Sequence, residues 1–554
     1  MNRSNKNSKK EIRQVQPQIR QQNMNSILNN NVSLTSNNNY NSNSLQTNDT
    51  SYTSNNNDFS DDEPIIIDIN KVSNETGTTD TPKDGETPNK HDLKDYIDLE
   101  LKLKQRILNI NSKSAEIIPM LVSLISKDMS GSEKTSIDLV CVIDKSGSMQ
   151  GRKIELLRQT FDTLMELLSP SDRLSIVTFD NSSSRITPLL TMTPQNKKIT
   201  LDKIRQVGAS GGTSIYNGMT TALEILKQRK QVNNVSGVFL LSDGLDGSAD
   251  LGVKNLVAKY DKFQNCNNIS INTFGFGDDH DPKLMGNISD LKDGNFYYID
   301  KLDTVDEAFG DCLIGLMSVL AEDVQFEIQA VKSDIFPNIK IQKAFGLEGA
   351  WKNDKEVYKI GQKHLIAGKN RNHLLELSIP AFNGDFKGEF KVVIAKAVIT
   401  MCGLKETGFQ ILKMEKDLTV TFVGEDDKVS DDYVDYDVMF HYYRLRSVDV
   451  IAKARNLAEV GENKQAEKEL QVFCDELSKS KFASHESFIG MINDIKQTIG
   501  YVQPQVYSNV GSKKMRENMQ CNFKEQSNIN NYCLNMNSRQ MNYREDMMMK
   551  KSKK

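Results

Sequence analysis

Two hydrophobic periods occupy the middle of this chain, and polar sequence without a period occupies both ends. Between 137 and 322, short β-branched runs alternate with amphipathic stretches. The runs are IDLVCVID (137–144), RLSIVTFD (173–180), SGVFLLSD (236–243), SINTFGFG (270–277) and NFYYID (295–300). Three of the first four are nearly continuous in apolar residues, which predicts strands buried on both faces. Between them, KIELLRQTFDTLMELL and SIYNGMTTALEILKQR place apolar residues three and four apart, the spacing of a helix with one buried face. Strand and helix in alternation predict an α/β unit over 134–322, a doubly wound, mostly parallel, Rossmann-like sheet.

After Val324 the period becomes two. VQFEIQAV, HLLELSIP, GEFKVVIAKAVI and LTVTFV read as antiparallel strands joined by glycine-containing turns, a β-sandwich-like unit over 323–430. That unit is small on its own. The strand-like DLELKLKQRIL and AEIIPMLVSLIS within 93–133 are expected to join it, which makes the α/β unit an insertion between two parts of one sandwich. From 431 to 500 the helical period returns, and two or three antiparallel helices, a hairpin or bundle, are expected. Residues 1–92, rich in Asn and Ser with an acidic patch at Asp61, Asp62 and Glu63, and the tail 501–554 carry too little apolar surface to offset chain entropy. Both are read as disordered.

Charge and cysteine usage narrow the function classes. Net charge is −4, but residues 512–554 hold ten Lys/Arg against four Asp/Glu, a net +6 that leaves −10 on the rest. An acidic body argues against nucleic acid as partner. The seven cysteines are widely spaced, with no CxxC pair and no Cys/His cluster, so neither a disulfide framework nor a zinc module is expected. No secretory signal or membrane-spanning run is recognised, and a cytoplasmic location is the expectation.

The candidate chemistry sits where the strands end. The first strand runs into Asp144-Lys-Ser146-Gly147-Ser148, the loop GASGGTSIYNG supplies Thr213 beside Gly212, and the third strand ends at Asp243. Open α/β sheets bind ligands at the carboxyl edge of their strands, and these loops share that edge. Two carboxylates and three hydroxyls form an all-oxygen donor set, suited to a hard cation that keeps few protein charges around it.

DLVCVIDKSGSM, GGTSIYNG and FLLSDG resemble the three loops of a von Willebrand factor type A domain with its metal-ion-dependent adhesion site, with every ligand position filled. The resemblance covers 137–322, about a third of the chain. It implies Mg²⁺, with Mn²⁺ or Ca²⁺ as alternatives, held by Asp144, Ser146, Ser148, Thr213 and Asp243. It also implies a partner protein whose acidic side chain completes the coordination. Gly147, Gly212, Asp180, Asp246, Asp279, His280 and Asp281 are expected around the ligands or against the partner, with His280 read as a solvated loop histidine. The segment after the α/β unit is similar to the intein-like region that follows this domain in protist and plant relatives. The nucleophile and Thr-x-x-His of self-splicing are not evident there, and His364, His373 and His441 read as surface positions. The expected function is therefore a metal-dependent binding or scaffold module rather than an enzyme. The alternatives are a Mg²⁺-dependent enzyme, or the substrate-binding part of a ubiquitin-ligase-type complex.

Overall fold

The computed structural model describes residues 92–110, 114–128, 135–243, 246, 249–266, 268–277, 280–299, 302–346, 349–382, 388–404, 410–424, 434–524 and 537–552. The reading of 1–92 as disordered, save for Asp92, and the placement of Asp279 lie outside these residues. Among them the chain forms β1 (Ile97–Leu103), β2 (Ile107–Asn109) and β3 (Glu116–Ser126), then the α/β unit. That unit comprises β4 (Ile137–Asp144), α1 (Arg152–Leu167), β5 (Arg173–Phe179), β6 (Ser183–Arg185), β7 (Leu190–Thr191), α2 (Pro194–Arg205), α3 (Ile215–Gln228) and β8 (Val235–Ser242). It continues through α4 (Ala249–Tyr260), β9 (Ile269–Phe276), α5 (Pro282–Asp290), β10 (Phe296–Ile299) and α6 (Leu302–Leu316).

The sheet order is β10-β9-β8-β4-β5-β6, parallel from β10 to β5. The unbroken apolar strands feed two cores by alternation. Leu139, Cys141 and Ile143 meet Leu157, Phe161 and Phe309 of α1 and α6 on one face. Val140 and Val142 meet Met219, Leu223, Val253 and Leu256 of α3 and α4 on the other. The parallel strands bring all their carboxyl ends to one edge.

The second part of the sandwich follows: β11 (Val319–Ala330), β12 (Lys340–Ala344), β13 (Lys352–Asp354), β14 (Val357–Ile366), β15 (Arg371–Ile379), β16 (Glu389–Gly403) and β17 (Ile411–Val423). One sheet is β1-β3-β15-β12 and the other β13-β14-β11-β16-β17-β2, so the strands before the α/β unit lie in the same two layers as those after it. Leu99, Val122, Leu124, Phe326, Leu375, Ala397 and Phe422 fill the space between. The two crossings into the insertion are clasped together, Thr135 donating from its backbone N to Met317 O at 3.0 Å and from Oγ1 to Val319 O at 3.2 Å.

His364 and His373, expected at the surface, are buried in this sandwich, and burial holds them down to about 4 and about 3. Glu322 stands opposite His364 in register; its Oε2 accepts from Asn268 Nδ2 at 2.7 Å, while its buried Oε1 is 3.8 Å from His364 Nε2 and accepts no hydrogen bond. Burial pushes Glu322 up from its ordinary 4.5 to about 7. A carboxyl whose folded value is raised contributes stability that is complete below its unfolded value and is lost as pH rises through the folded one. Glu322→Gln, which keeps an acceptor for Asn268, is therefore expected to gain stability over the wild type between about pH 5 and about pH 8. Urea unfolding at both pH values checks this, and an unchanged difference between the two proteins refutes it.

Three helices follow, α7 (Tyr436–Glu459), α8 (Asn463–Lys479) and α9 (Glu486–Tyr501), packed around Ile451, Leu470, Phe473, Phe488 and Ile495. Val438 and Leu445 of α7 seat the bundle on the outer face of the sandwich against Leu121 and Leu374. The basic tail departs from its reading as a disordered segment: it contains α10 (Ser512–Lys524) and α11 (Ser538–Ser552). Met515 and Met519 of α10 enter the bundle core. On its other side Arg516 Nη2 donates to Asn287 Oδ1 at 2.7 Å, and Lys524 Nζ to Asp290 Oδ1 at 2.9 Å, both acceptors lying on α5. On α11, Gln540 Nε2 donates to Asp311 O at 2.8 Å and Arg544 pairs with the Asp311 carboxylate at 3.2 Å. The polar composition that suggests solvation is used instead for specific contacts with the acidic α/β unit. No described helix is long and apolar enough to cross a membrane.

Candidate metal centre

Asp144, Ser146, Ser148, Thr213 and Asp243 stand on loops at the carboxyl edge of β4, before α3 and after β8. The first loop folds back on itself: Asp144 Oδ1 accepts from Ser146 N at 2.8 Å, and the hydroxyls of Ser146 and Ser148 are 3.0 Å apart. The second loop is held against the first by Gly147 N donating to Gly211 O at 3.0 Å and Ser210 N to Lys145 O at 2.7 Å. Gly211 has φ +84°, and a Cβ there would stand 3.2 Å from Asp180 Cβ, so this turn needs glycine on both counts. Asp144 Oδ2 accepts from Ser242 Oγ at 2.5 Å, which ties the first loop to the end of β8.

Both carboxylates are buried. Burial pushes Asp144 up to about 6, against the hydrogen bonds from Ser146 and Ser242, with the Asp243 charge adding to the rise. Asp243 Oδ2 accepts from Lys153 Nζ at 3.0 Å, while its Oδ1 is buried and accepts no hydrogen bond. A buried carboxylate oxygen without a donor is costly unless a cation meets it. Two anionic groups crowded together and an orphaned oxygen, with hydroxyls close by, fit a small hard divalent cation. Lys153, in the first turn of α1, supplies a partial counter-charge that the DxSxS spacing did not reveal. Its only sequence signal is its place nine residues after Asp144, in the first turn of the helix that follows the loop.

The surrounding residues divide. Asp180 pairs with Lys145 and accepts from Ser182 N at 2.8 Å; burial works to raise it, but the lysine and the serine outweigh that and hold it low. Its backbone oxygen accepts from Ser214 N at 2.7 Å, so it braces the Thr213 loop. Asp246 is buried and accepts from Ile215 N at 3.0 Å, at the start of α3. Asp281 caps α5, accepting from Lys283 N at 2.8 Å and Leu284 N at 3.1 Å. His280 is not a solvated loop residue: it is buried, with Nδ1 2.7 Å from Gly277 O and its ring against Phe296 and Tyr298. The apolar strand β10 covers it. Gly147 serves the loop contact above, and Gly212 faces the end of the Asn181 side chain.

A doubly wound sheet with these loops at its carboxyl edge defines the class, and the comparisons agree: residues 138–311 match the model of the von Willebrand factor type A domain. The chain carries such a domain. It is similar to E3 ubiquitin-protein ligase WAVH1 of Arabidopsis thaliana, 34% identical over 122 residues, 20% of this chain and 18% of that protein. It is also similar to E3 ubiquitin-protein ligase WAV3 of the same plant, 24% identical over 255 residues, 45% of this chain and 32% of that protein. The chain thus spans well under half the length of these relatives. Among solved structures, a von Willebrand factor type A protein from Catenulispora acidiphila superposes over 77% of this chain and 97% of its own with a TM-score of 0.56. At 16% identity that likeness concerns the fold alone.

Proposed function

We propose that the type A domain holds Mg²⁺ through Asp144, Ser146, Ser148, Thr213 and Asp243 and docks an acidic side chain of a partner protein on it. What carries the reading is Asp243 Oδ1, buried without a donor beside a second buried carboxylate. When bound, the cation supplies a Lewis-acidic position for an anionic oxygen. The hydroxyls matter as much as the acids. With carboxylates at 146, 148 and 213 the site would repel the group it is meant to receive.

The test is affinity capture with the full chain as bait, comparing the wild type with Asp144→Ala and Asp243→Ala, each in Mg²⁺ and in chelator. Partners held by the wild type in Mg²⁺ are expected to be released by chelator and absent from both variants. Equal capture in every condition would refute the reading. We read the chain as a binding module rather than an enzyme; Mg²⁺-dependent turnover of phosphate esters that disappears in Asp144→Ala would reverse that. A second reading, as the substrate-binding part of a ubiquitin-ligase-type assembly, is favoured by the names of the two plant relatives.

A further inference from the structure

Three buried side-chain atoms without a hydrogen-bond partner lie where the α/β unit touches the sandwich. They are His364 Nε2 on β14, Glu322 Oε1 on β11 and Asn268 Oδ1, one residue before β9. Glu322 and His364 are register partners, so their side chains share a face of the sheet, and the two atoms are 3.8 Å apart. That is too long for a hydrogen bond. Asn268 Nδ2 donates to Glu322 Oε2 at 2.7 Å, which brings the amide that carries Oδ1 against the carboxylate that carries Oε1. The Asn268 backbone also hydrogen-bonds the His364 ring. A ligating histidine is commonly held in this way, one ring nitrogen fixed by a carbonyl and the other left for the ion.

With the buried ring neutral, a carboxylate oxygen, an amide oxygen and an imidazole nitrogen are gathered as acceptors with no donor among them. Buried acceptors without a donor are costly, and a cation relieves all three at once. The surrounding charge favours one. Asp293 and Asp323 act on the pair against Lys363 alone, so that with Glu322 there are three carboxylates to one ammonium. The donor set of one imidazole nitrogen and two oxygens suits Zn²⁺ better than Mg²⁺. Ligands about 2.1 Å from such an ion stand about 3.4 Å apart in a tetrahedron, so the separation of His364 from Glu322 leaves room for it. Cys402 faces Glu322 in register from β16, but its Sγ is turned to Gly403 O at 3.5 Å. Among the described residues no three His, Cys, Asp or Glu are placed to hold a metal, which makes the amide of Asn268 the third protein donor.

We propose that His364, Glu322 and Asn268 bind Zn²⁺, with water completing the coordination, as a clasp between the type A domain and the sandwich. Asn268 stands at the amino end of β9, the edge of the sheet opposite the Mg²⁺ loops, so the inference is independent of the metal-docking reading.

The test is titration of the full chain with Zn²⁺ by calorimetry in excess Mg²⁺, with Asp144→Asn in every protein to keep zinc from the type A loops. This parent is expected to bind Zn²⁺ and to unfold at a higher temperature when it does. Glu322→Gln and His364→Gln are expected to weaken the binding by about a hundredfold or more and Asn268→Ala by about tenfold, as losses of ligands rather than of residues that merely orient them. Glu322→Gln keeps the acceptor for Asn268 and gains stability near neutral pH, so its loss of zinc is not a loss of fold. Cys402→Ser is expected to bind as the parent does. No Zn²⁺ binding by the parent overturns the proposal and leaves a proton on Glu322 as what the acceptors share. Binding unchanged in Glu322→Gln, or lost in Cys402→Ser, puts the ion elsewhere and overturns it equally.

Discussion

Asp138→Ala is expected to destabilise the type A domain by about 3–5 kcal/mol, the penalty for breaking a buried ion pair from one side. Asp138 stands at the start of β4, at the edge opposite the metal loops. Its carboxylate accepts from Arg173 Nε and Nη2, both at 2.8 Å, from Arg229 Nη1 at 2.6 Å and from Asn233 N at 3.1 Å. All three charged side chains are buried, so one carboxylate is shared between two guanidinium groups away from water. Removing it leaves two cations facing each other without the carboxylate they share, with Gln231 O still accepting from Arg173 and Ser236 Oγ from Arg229, each at 2.7 Å. Asp138→Ala combined with Arg173→Met removes one of those stranded charges and is expected to recover part of the loss. Urea unfolding of the three proteins measures this. A single-variant loss below about 1 kcal/mol would show that the network is solvated and that the buried-pair account is wrong.

The same residue shows what a sequence reveals and what it hides. IDLVCVID is legible as a doubly buried strand because six of its eight positions are apolar and feed two cores. The three metal loops are legible for a similar reason: their donors lie at the ends of such strands, where a carboxylate or hydroxyl interrupts the apolar run. Asp138 interrupts the same run without announcing its partners, since Arg173 and Arg229 come from other elements 35 and 91 residues away. Lys153, across from Asp243, is hidden in the same way. Strands β12 to β14 went unread because lysines, a glycine and a buried histidine break their period-two pattern. The glycine, Gly361, lies where a Cβ would press on the Gln325 side chain of the next strand. Helix α10 escapes a hydrophobic count because, beside Met515 and Met519 in the bundle core, it is fixed by Arg516, Gln520 and Lys524 on Asn287 and Asp290. Composition measures how much apolar surface a segment has, not whether a neighbour offers complementary charge.

At the metal loops the expected result is an inversion of stability order. In wild type without metal, Asp144 is held at about 6 instead of its ordinary 3.8. Its stabilising share is complete below the ordinary value and is lost as pH rises through about 6, a cost on the order of 2–3 kcal/mol at neutral pH. Asp144→Asn removes that cost; the amide oxygen still accepts from Ser146 N, and the Ser242 hydroxyl turns to accept from the amide. In chelator at neutral pH this variant is therefore expected to be more stable than the wild type, by about 1–2 kcal/mol once the changed hydrogen bond is allowed for. Mg²⁺ at a hundredfold excess over its Kd adds about 2.7 kcal/mol to a protein that binds it and nothing to one that does not. In Mg²⁺ the wild type is then the more stable of the two. Near pH 5 the proton on Asp144 competes with the cation, and the Mg²⁺ increment of the wild type should shrink. Thermal or urea unfolding of both proteins, with and without Mg²⁺ at each pH, reads the crossing directly. If Asp144→Asn gains as much from Mg²⁺ as the wild type, the cation is bound elsewhere, and the assignment of this carboxylate as its ligand fails.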